Sequence, residues 1–86
     1  MATHDEITTF ICNSIAETCP NATYDAVFGN KELTLIGDIK MESLHAMVIA
    51  SSLEDEFDIE LNPETLLNSK TVNGVIAYVE SVMNGN

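Results

Sequence analysis

Between Ser43 and Phe57 the chain has neither glycine nor proline, and its apolar residues recur at helical spacing. The segment therefore predicts a helix over 43–57. Its apolar positions form two stripes. One stripe contains Ala46, Ile49, Ala50, Leu53 and Phe57, and a neighbouring stripe contains Leu44, Met47 and Val48. One stripe is enough to face a core, so the second indicates either a central helix buried on nearly all sides or an exposed docking surface.

A first helix is predicted over roughly residues 4–17. Thr3 and Glu6 have the spacing of a capping box, and apolar residues follow on one face before Pro20 ends the helix. Cys12 and Cys19 are seven residues apart. On one helix their Cα atoms would be about 10 Å apart, which is too far for an unstrained disulfide, so both are expected to be reduced.

The remaining elements are shorter or more weakly indicated. Residues 20–38 carry one proline, two glycines and two asparagines among scattered apolar positions and predict a long, ordered loop. Pro63 is placed to begin a short helix. Either Ser69 or Thr71 can cap a last helix that starts near Val72 and frays at the C-terminus.

No segment shows the alternation of a strand. The prediction is an all-α domain spanning 1–86, an antiparallel four-helix bundle with a long first loop and a short third helix. Its predicted core comprises Ile7, Phe10, Ile11, Ile49, Leu53, Phe57, Val72, Ile76 and Val79.

The chain is strongly acidic, with 14 Asp and Glu residues against three lysines and a formal net charge of -11. This charge opposes binding to nucleic acid or anionic lipid and favours partners with basic surfaces. The sequence has no secretory signal pattern and no apolar run of membrane-spanning length. We expect a cytoplasmic monomer that binds other proteins.

Ser43 lies where the long loop meets the first turn of the predicted helix. Unpaired backbone N–H groups and the helix dipole favour a phosphate at such a position, although a serine there also acts as an ordinary helix cap. The surrounding Asp38-Ile39-Lys40-Met41-Glu42-Ser43-Leu44 resembles the D-L-G-x-D-S-L segment of acyl carrier proteins. The resemblance continues in Leu53-Glu54-Asp55-Glu56-Phe57, in Thr71-Val72 and in Ile76-Ala77-Tyr78-Val79.

The resemblance implies that Ser43 carries a phosphopantetheine arm, which a transferase adds from coenzyme A. The thiol of the arm would carry acyl groups as thioesters for acyl-loading and acyl-processing enzymes, and the carrier itself would not be an enzyme. The implied recognition residues are Glu42, Leu44, Met47, Val48 and Glu54.

Three residues depart from the family pattern. Glu42 stands where aspartate is usual, Lys40 where glycine is common, and Val48 where a glutamate commonly pairs with basic partners. These changes favour apolar docking and a specialised lipid or polyketide pathway over bulk fatty acid synthesis. An aminoacyl or aryl (peptidyl-type) carrier, and an unmodified acidic interaction module of the same fold, stay open as alternatives.

Two metal sites are disfavoured. The alternating acidic residues from Asp58 onward resemble an EF-hand loop. However, Pro63 stands at the position that requires glycine, and Ser69 stands at the position that requires a bidentate glutamate. His4 and His45 lack zinc-spaced companions, so no metal is expected.

Overall fold

The computed structural model describes residues 2–85, which form five helices and no strand. The all-α prediction is confirmed, and the count of four helices is too low by one. The helices are α1 (His4–Thr18), α2 (Tyr24–Gly29), α3 (Ser43–Phe57), α4 (Pro63–Leu67) and α5 (Val72–Met83).

Helix α1 begins at the predicted capping box. The backbone N–H of Glu6 donates to Thr3 Oγ1 at 3.1 Å, and the backbone N–H of Thr3 donates to Glu6 Oε1 at 2.8 Å. The bond from the Thr3 backbone, followed by the Thr3 side chain, lowers the pKa of the Glu6 carboxyl. Cys12 and Cys19 are free and buried, and burial raises the pKa of both thiols.

Helix α2 corrects the prediction of an unbroken loop over 20–38. Thr23 caps it by accepting a hydrogen bond from the backbone N–H of Ala26 at 3.2 Å. The helix has six residues and only Val27 among them is buried, so it is too short to show an apolar repeat. Its apolar pattern could not be distinguished from that of a packed loop.

Helix α3 has the predicted bounds, and its C-cap residue is Asp58, whose φ of 55° is left-handed. One stripe is buried, comprising Ala46, Ile49, Ala50 and Leu53. The other stays in solvent: the side chain of Leu44 is 67% exposed, that of Met47 56% and that of Val48 50%. Burial of α3 on all sides is therefore excluded.

The last two helices begin at well-formed caps. Asn62 Oδ1 accepts from the backbone N–H groups of Glu64 and Thr65, and Pro63 fills the first turn of α4. Of the two residues predicted to cap α5, it is Thr71 that does so, accepting from the backbone N–H of Gly74 at 3.1 Å. A Cβ on Gly74 would lie 1.9 Å from the carbonyl oxygen of Ser69, so this glycine permits a close backbone approach.

Most of the predicted core is buried, with two exceptions. The buried members are Ile7, Ile11, Ile49, Leu53, Val72, Ile76 and Val79. Phe10 and Phe57 are only partly buried, packed edge to face with ring centroids 5.4 Å apart. Helical spacing places both on the inward face, but they lie near an end of the domain where that face is incompletely covered.

Contacts between helix ends fix the relative directions. His4 Nδ1, in the first turn of α1, lies 2.6 Å from Glu80 Oε2 near the end of α5, so these helices are antiparallel. The α2–α3 connection is held against the start of α5 by backbone bonds. The N–H of Leu35 donates to the carbonyl of Lys70 at 2.8 Å, and the N–H of Val72 donates to the carbonyl of Leu33 at 3.2 Å.

Candidate functional site

Ser43 is the first residue of α3, and its side chain is exposed. It follows Glu42, which has the extended backbone of an N-cap residue. The first backbone N–H groups of a helix have no partner one turn earlier, and the helix dipole is positive there. Across residues 2–85 no hydrogen bond engages the Ser43 hydroxyl, which leaves it available for modification.

His45 caps the helix in an arrangement that the sequence analysis did not predict. The backbone N–H of Glu42 donates to Nδ1 of His45 at 3.0 Å, which requires this nitrogen to be unprotonated. The ring is thereby directed to the Glu42 backbone and not to the Ser43 hydroxyl. A Ser–His nucleophile pair is not formed between these two residues.

The backbone that leads to Ser43 alternates between buried and exposed residues. Ile39 and Met41 are 2% and 3% exposed, whereas Lys40 and Glu42 face solvent. The N–H of Met41 also donates to the carbonyl of Leu35 at 2.8 Å. Two buried anchors and a backbone bond therefore fix the position from which Ser43 projects.

Asp38, the first residue of the motif, stabilises the turn before this segment. Its carboxylate accepts from the backbone N–H of Thr34 at 2.9 Å and from Thr34 Oγ1 at 3.1 Å. The backbone bond, followed by the side-chain bond, lowers the pKa of Asp38 below its usual value. Its role in this structure is to hold the loop.

Lys40 has a φ of 64°, in the left-handed region where glycine carries no steric penalty. This conformation gives a physical reason for the glycine that acyl carrier proteins often have here.

A shallow, largely apolar groove of about 320 Å³ lies beside Ser43, between α3 and α4. Met47 borders it on α3, and Leu67 borders it on α4. The backbone N–H of Asn62 donates to the hydroxyl of Tyr78 at 2.9 Å, which ties the start of α4 to α5. Sequence reasoning missed the contribution of α4 to this groove, because a five-residue helix carries too little pattern to place it against α3.

The predicted recognition residues fall into two groups. Leu44, Met47 and Val48 are exposed on α3, and Glu42 is exposed immediately before it. Glu54 is partly buried, and its Oε2 accepts from the backbone N–H of Leu61 at 2.8 Å. The Glu54 carboxylate thus holds the α3–α4 connection.

The fold and the site define a small helical domain that presents one serine hydroxyl at a helix N-terminus. The exposed hydroxyl, the positive end of the helix dipole and the adjacent open groove fit a covalently attached phosphate ester with a long arm.

Comparison with known proteins agrees with this class. A family model described as the phosphopantetheine attachment site matches residues 26–79. An acyl carrier protein homolog of Mycoplasmopsis pulmonis (strain UAB CTIP) is 43% identical over 49 residues, which cover 57% of this chain and 67% of that protein. The chain belongs to the acyl carrier protein family, and its prosthetic group is phosphopantetheine.

Members of this family are carriers, and they interact with a phosphopantetheinyl transferase and with acyl-processing enzymes. Within residues 2–85, no helix has the length and apolar character needed to cross a membrane.

Proposed function

We propose that phosphopantetheine is attached at Ser43, and that the chain carries acyl intermediates as thioesters on the thiol of that arm without catalysing a reaction itself. The observation that carries the proposal is the exposed, unbonded Ser43 hydroxyl at the N-terminus of α3. Monomeric state and cytoplasmic location are parts of the same proposal, and they rest on the sequence.

The residues around Ser43 have distinct tasks in this proposal. The first-turn N–H groups of α3 and the helix dipole stabilise the negative phosphodiester. Ile39 and Met41 keep the attachment point fixed from inside the domain. Lys40 is exposed three residues before Ser43 and adds a positive charge on the same side of the domain. The groove along Met47 and Leu67 offers an apolar surface to the arm.

Partner enzymes dock, in this proposal, on the stripe formed by Leu44, Met47 and Val48. All three are at least half exposed, so they gain apolar burial when a partner covers them. Glu42 adds a carboxylate at the edge nearest Ser43. We retain Glu54 as a recognition residue of lower weight, because its carboxylate already accepts a bond from its own chain.

A competing assignment is an unmodified interaction module, and measurement of intact mass separates the two. The full chain is incubated with coenzyme A and a broad-specificity phosphopantetheinyl transferase. We expect one phosphopantetheine per chain, lost in Ser43→Ala and retained in Ser51→Ala. Ser51 is a matched control because it is an exposed serine on the same helix. No addition to the wild type, or addition that survives Ser43→Ala, would refute the proposal.

The docking stripe is tested by transferase affinity. Met47→Ala and Val48→Ala are each expected to weaken binding about fivefold, as exposed apolar contacts at the centre of an interface do. Affinity should change little between low and moderate salt. Strong salt dependence together with normal affinity of both variants would instead indicate an acidic interface.

We also propose the class of pathway in which the carrier works. Val48 in place of the family's acid supports a specialised lipid or polyketide pathway over bulk fatty acid synthesis. An aminoacyl or aryl carrier is the alternative within the same fold. Competition between acyl-loading and aminoacyl-loading enzymes for the phosphopantetheine form distinguishes them, and preferential acyl loading is expected.

A further inference from the structure

A second groove lies at the opposite end of the domain from Ser43. It has a volume of about 560 Å³ and forms where α1 begins and where α3 and α5 end. Helix α3 has 15 residues, so its two ends are separated by about 22 Å. A protein bound in this groove would leave Ser43 uncovered.

The floor of the second groove is apolar. Phe10 and Phe57 line it as a partly exposed aromatic pair, and Ile59 and Met83 line it from the chain that follows α3 and from the end of α5. All four side chains are partly buried and pack against the core. A pocket of several hundred cubic ångströms with an aromatic floor accommodates one or two large side chains.

The rim of the second groove is acidic. Glu6, Glu56 and Asp58 border it, and all three are exposed. An adjoining groove on the α1–α3 side shares Glu6 and Glu56 and adds Asp5.

Helix dipoles strengthen the negative potential of this rim. Helices α3 and α5 both end here, and neither has a basic residue in its last turn. Each helix C-terminus carries a partial negative charge. Helix α1 begins here, but Asp5 and Glu6 in its first turn offset the positive end of its dipole.

The lysines are segregated to the other end. The backbone carbonyl of Lys31 accepts a hydrogen bond from the N–H of Asn73 at the start of α5, and the carbonyl of Lys70 accepts one from the N–H of Leu35. Lys40 lies in the segment before Ser43. These are all the lysines in the sequence, which contains no arginine. Among residues 2–85, no lysine lines the second groove, and His4, which is hydrogen-bonded to Glu80, lines a neighbouring groove.

From this charge complementarity we propose that the second groove binds a cationic segment of a partner protein, in which lysines or arginines flank an aromatic or large aliphatic anchor. The anchor packs on Phe10 and Phe57, and the flanking cations pair with the rim carboxylates. The carrier is thereby held at one end while Ser43 stays free at the other.

The probe is the peptide acetyl-Lys-Lys-Phe-Lys-Lys-amide, titrated into the full isotope-labelled chain and followed by NMR. We expect the largest amide shift changes around Phe10, Phe57 and Met83. A peptide with serine in place of phenylalanine should bind at least threefold more weakly. Shift changes spread evenly over all acidic surfaces, or centred on Leu44 and Met47, would overturn the proposal.

Two charge variants provide the matched comparison. Glu56→Lys should weaken the phenylalanine peptide about threefold or more, whereas Glu17→Lys should leave its affinity unchanged. Both residues are exposed in the last turn of a helix, where lysine is favoured, so both variants should fold. Equal weakening by the two variants would show general charge attraction and refute the site.

Ser43→Ala serves as an independent variant. Peptide binding should be unchanged in it, because the second groove does not include Ser43. The peptide result therefore tests the second groove independently of the assignment of Ser43 as the attachment residue. Loss of peptide binding in Ser43→Ala would contradict a separate site.

Discussion

The two ends of α3 differ in how completely the residues around them are packed. At the Ser43 end, backbone bonds from Leu35 and Met41 and the buried side chain of Ile39 hold a loop in place around one exposed hydroxyl. At the Phe57 end, large apolar side chains remain partly uncovered beneath a rim of carboxylates. Contacts within the chain hold the Ser43 end in place. The Phe57 end exposes apolar surface beside negative charge, as a binding surface for another protein does.

The largest expected effect concerns the close backbone contact at the Ser43 end. Gly74→Ala should lower the free energy of unfolding by about 3 kcal/mol, because the added Cβ would meet the Ser69 carbonyl and force the backbone apart. Urea denaturation measures the change. Gly29→Ala is the control: its Cβ would meet nothing within 4 Å, and the helix should gain stability. Equal effects would show that the contact at Gly74 is relaxed in solution.

At the other end, Phe57→Ala should lower the free energy of unfolding by about 2 kcal/mol, less than for a fully buried phenylalanine. The side chain is only partly buried, and the variant also loses the edge-to-face contact with Phe10. Loading of phosphopantetheine at Ser43 should persist in the folded variant, as measured by intact mass. Loss of loading in a variant that is still folded would show that the two ends are coupled.

A smaller effect, of the opposite sign, is expected for Lys40→Gly. Removing the side chain from a left-handed residue should raise the free energy of unfolding by about 0.5–1 kcal/mol, after the entropy cost of glycine. Lys70→Gly, at a φ of 76°, should behave similarly. Lys31→Gly provides the control, since Lys31 is outside the left-handed region and its ammonium lies over the Phe28 ring, so no gain is expected.

The smallest effect is a dependence on pH. The pKa of Asp38 is lowered by its bonds to Thr34, so its stabilisation is present above the unfolded value near 3.8 and is lost as pH falls through the folded pKa. Asp38→Asn should therefore be less stable than the wild type at neutral pH. This difference should shrink as pH falls below 3.8 and through the folded pKa, in parallel denaturation curves. A difference that is constant with pH would contradict the assigned role.

Local signals in the sequence predicted local structure well. Thr3 and Glu6 sufficed to place the start of α1, and the spacing of Ile49 and Leu53 sufficed to identify the buried face of α3. The helix α2 was missed because six residues with one buried side chain show no period. Phe10 and Phe57 were assigned to the core because helical spacing predicts which face of a helix a residue lies on. It does not predict whether that part of the face is covered by other elements.

The candidate site was predictable where it depends on adjacent residues and not where it depends on distant ones. The position of Ser43 at the start of α3 follows from the sequence around it. The cap formed by His45, the groove against Leu67 and the close contact at Gly74 depend on rotamers and on chain segments that meet only in three dimensions. The exposure of Met47 and Val48 needed the structure as well, since two apolar stripes permit either burial or docking.

Beside its buried side chains, the α2–α3 connection is attached through main-chain bonds of Lys31, Leu33 and Leu35 to residues 70–73. A main-chain bond survives almost any side-chain replacement, so exposed residues of this loop whose side chains make no bond of the kind that Asp38 makes can change while the path of the loop is preserved. Departures such as Lys40 and Glu42 then require no redesign of the domain. Natural variation in this loop should accumulate as changes of partner preference, with the inward residues Ile39 and Met41 the slowest to change.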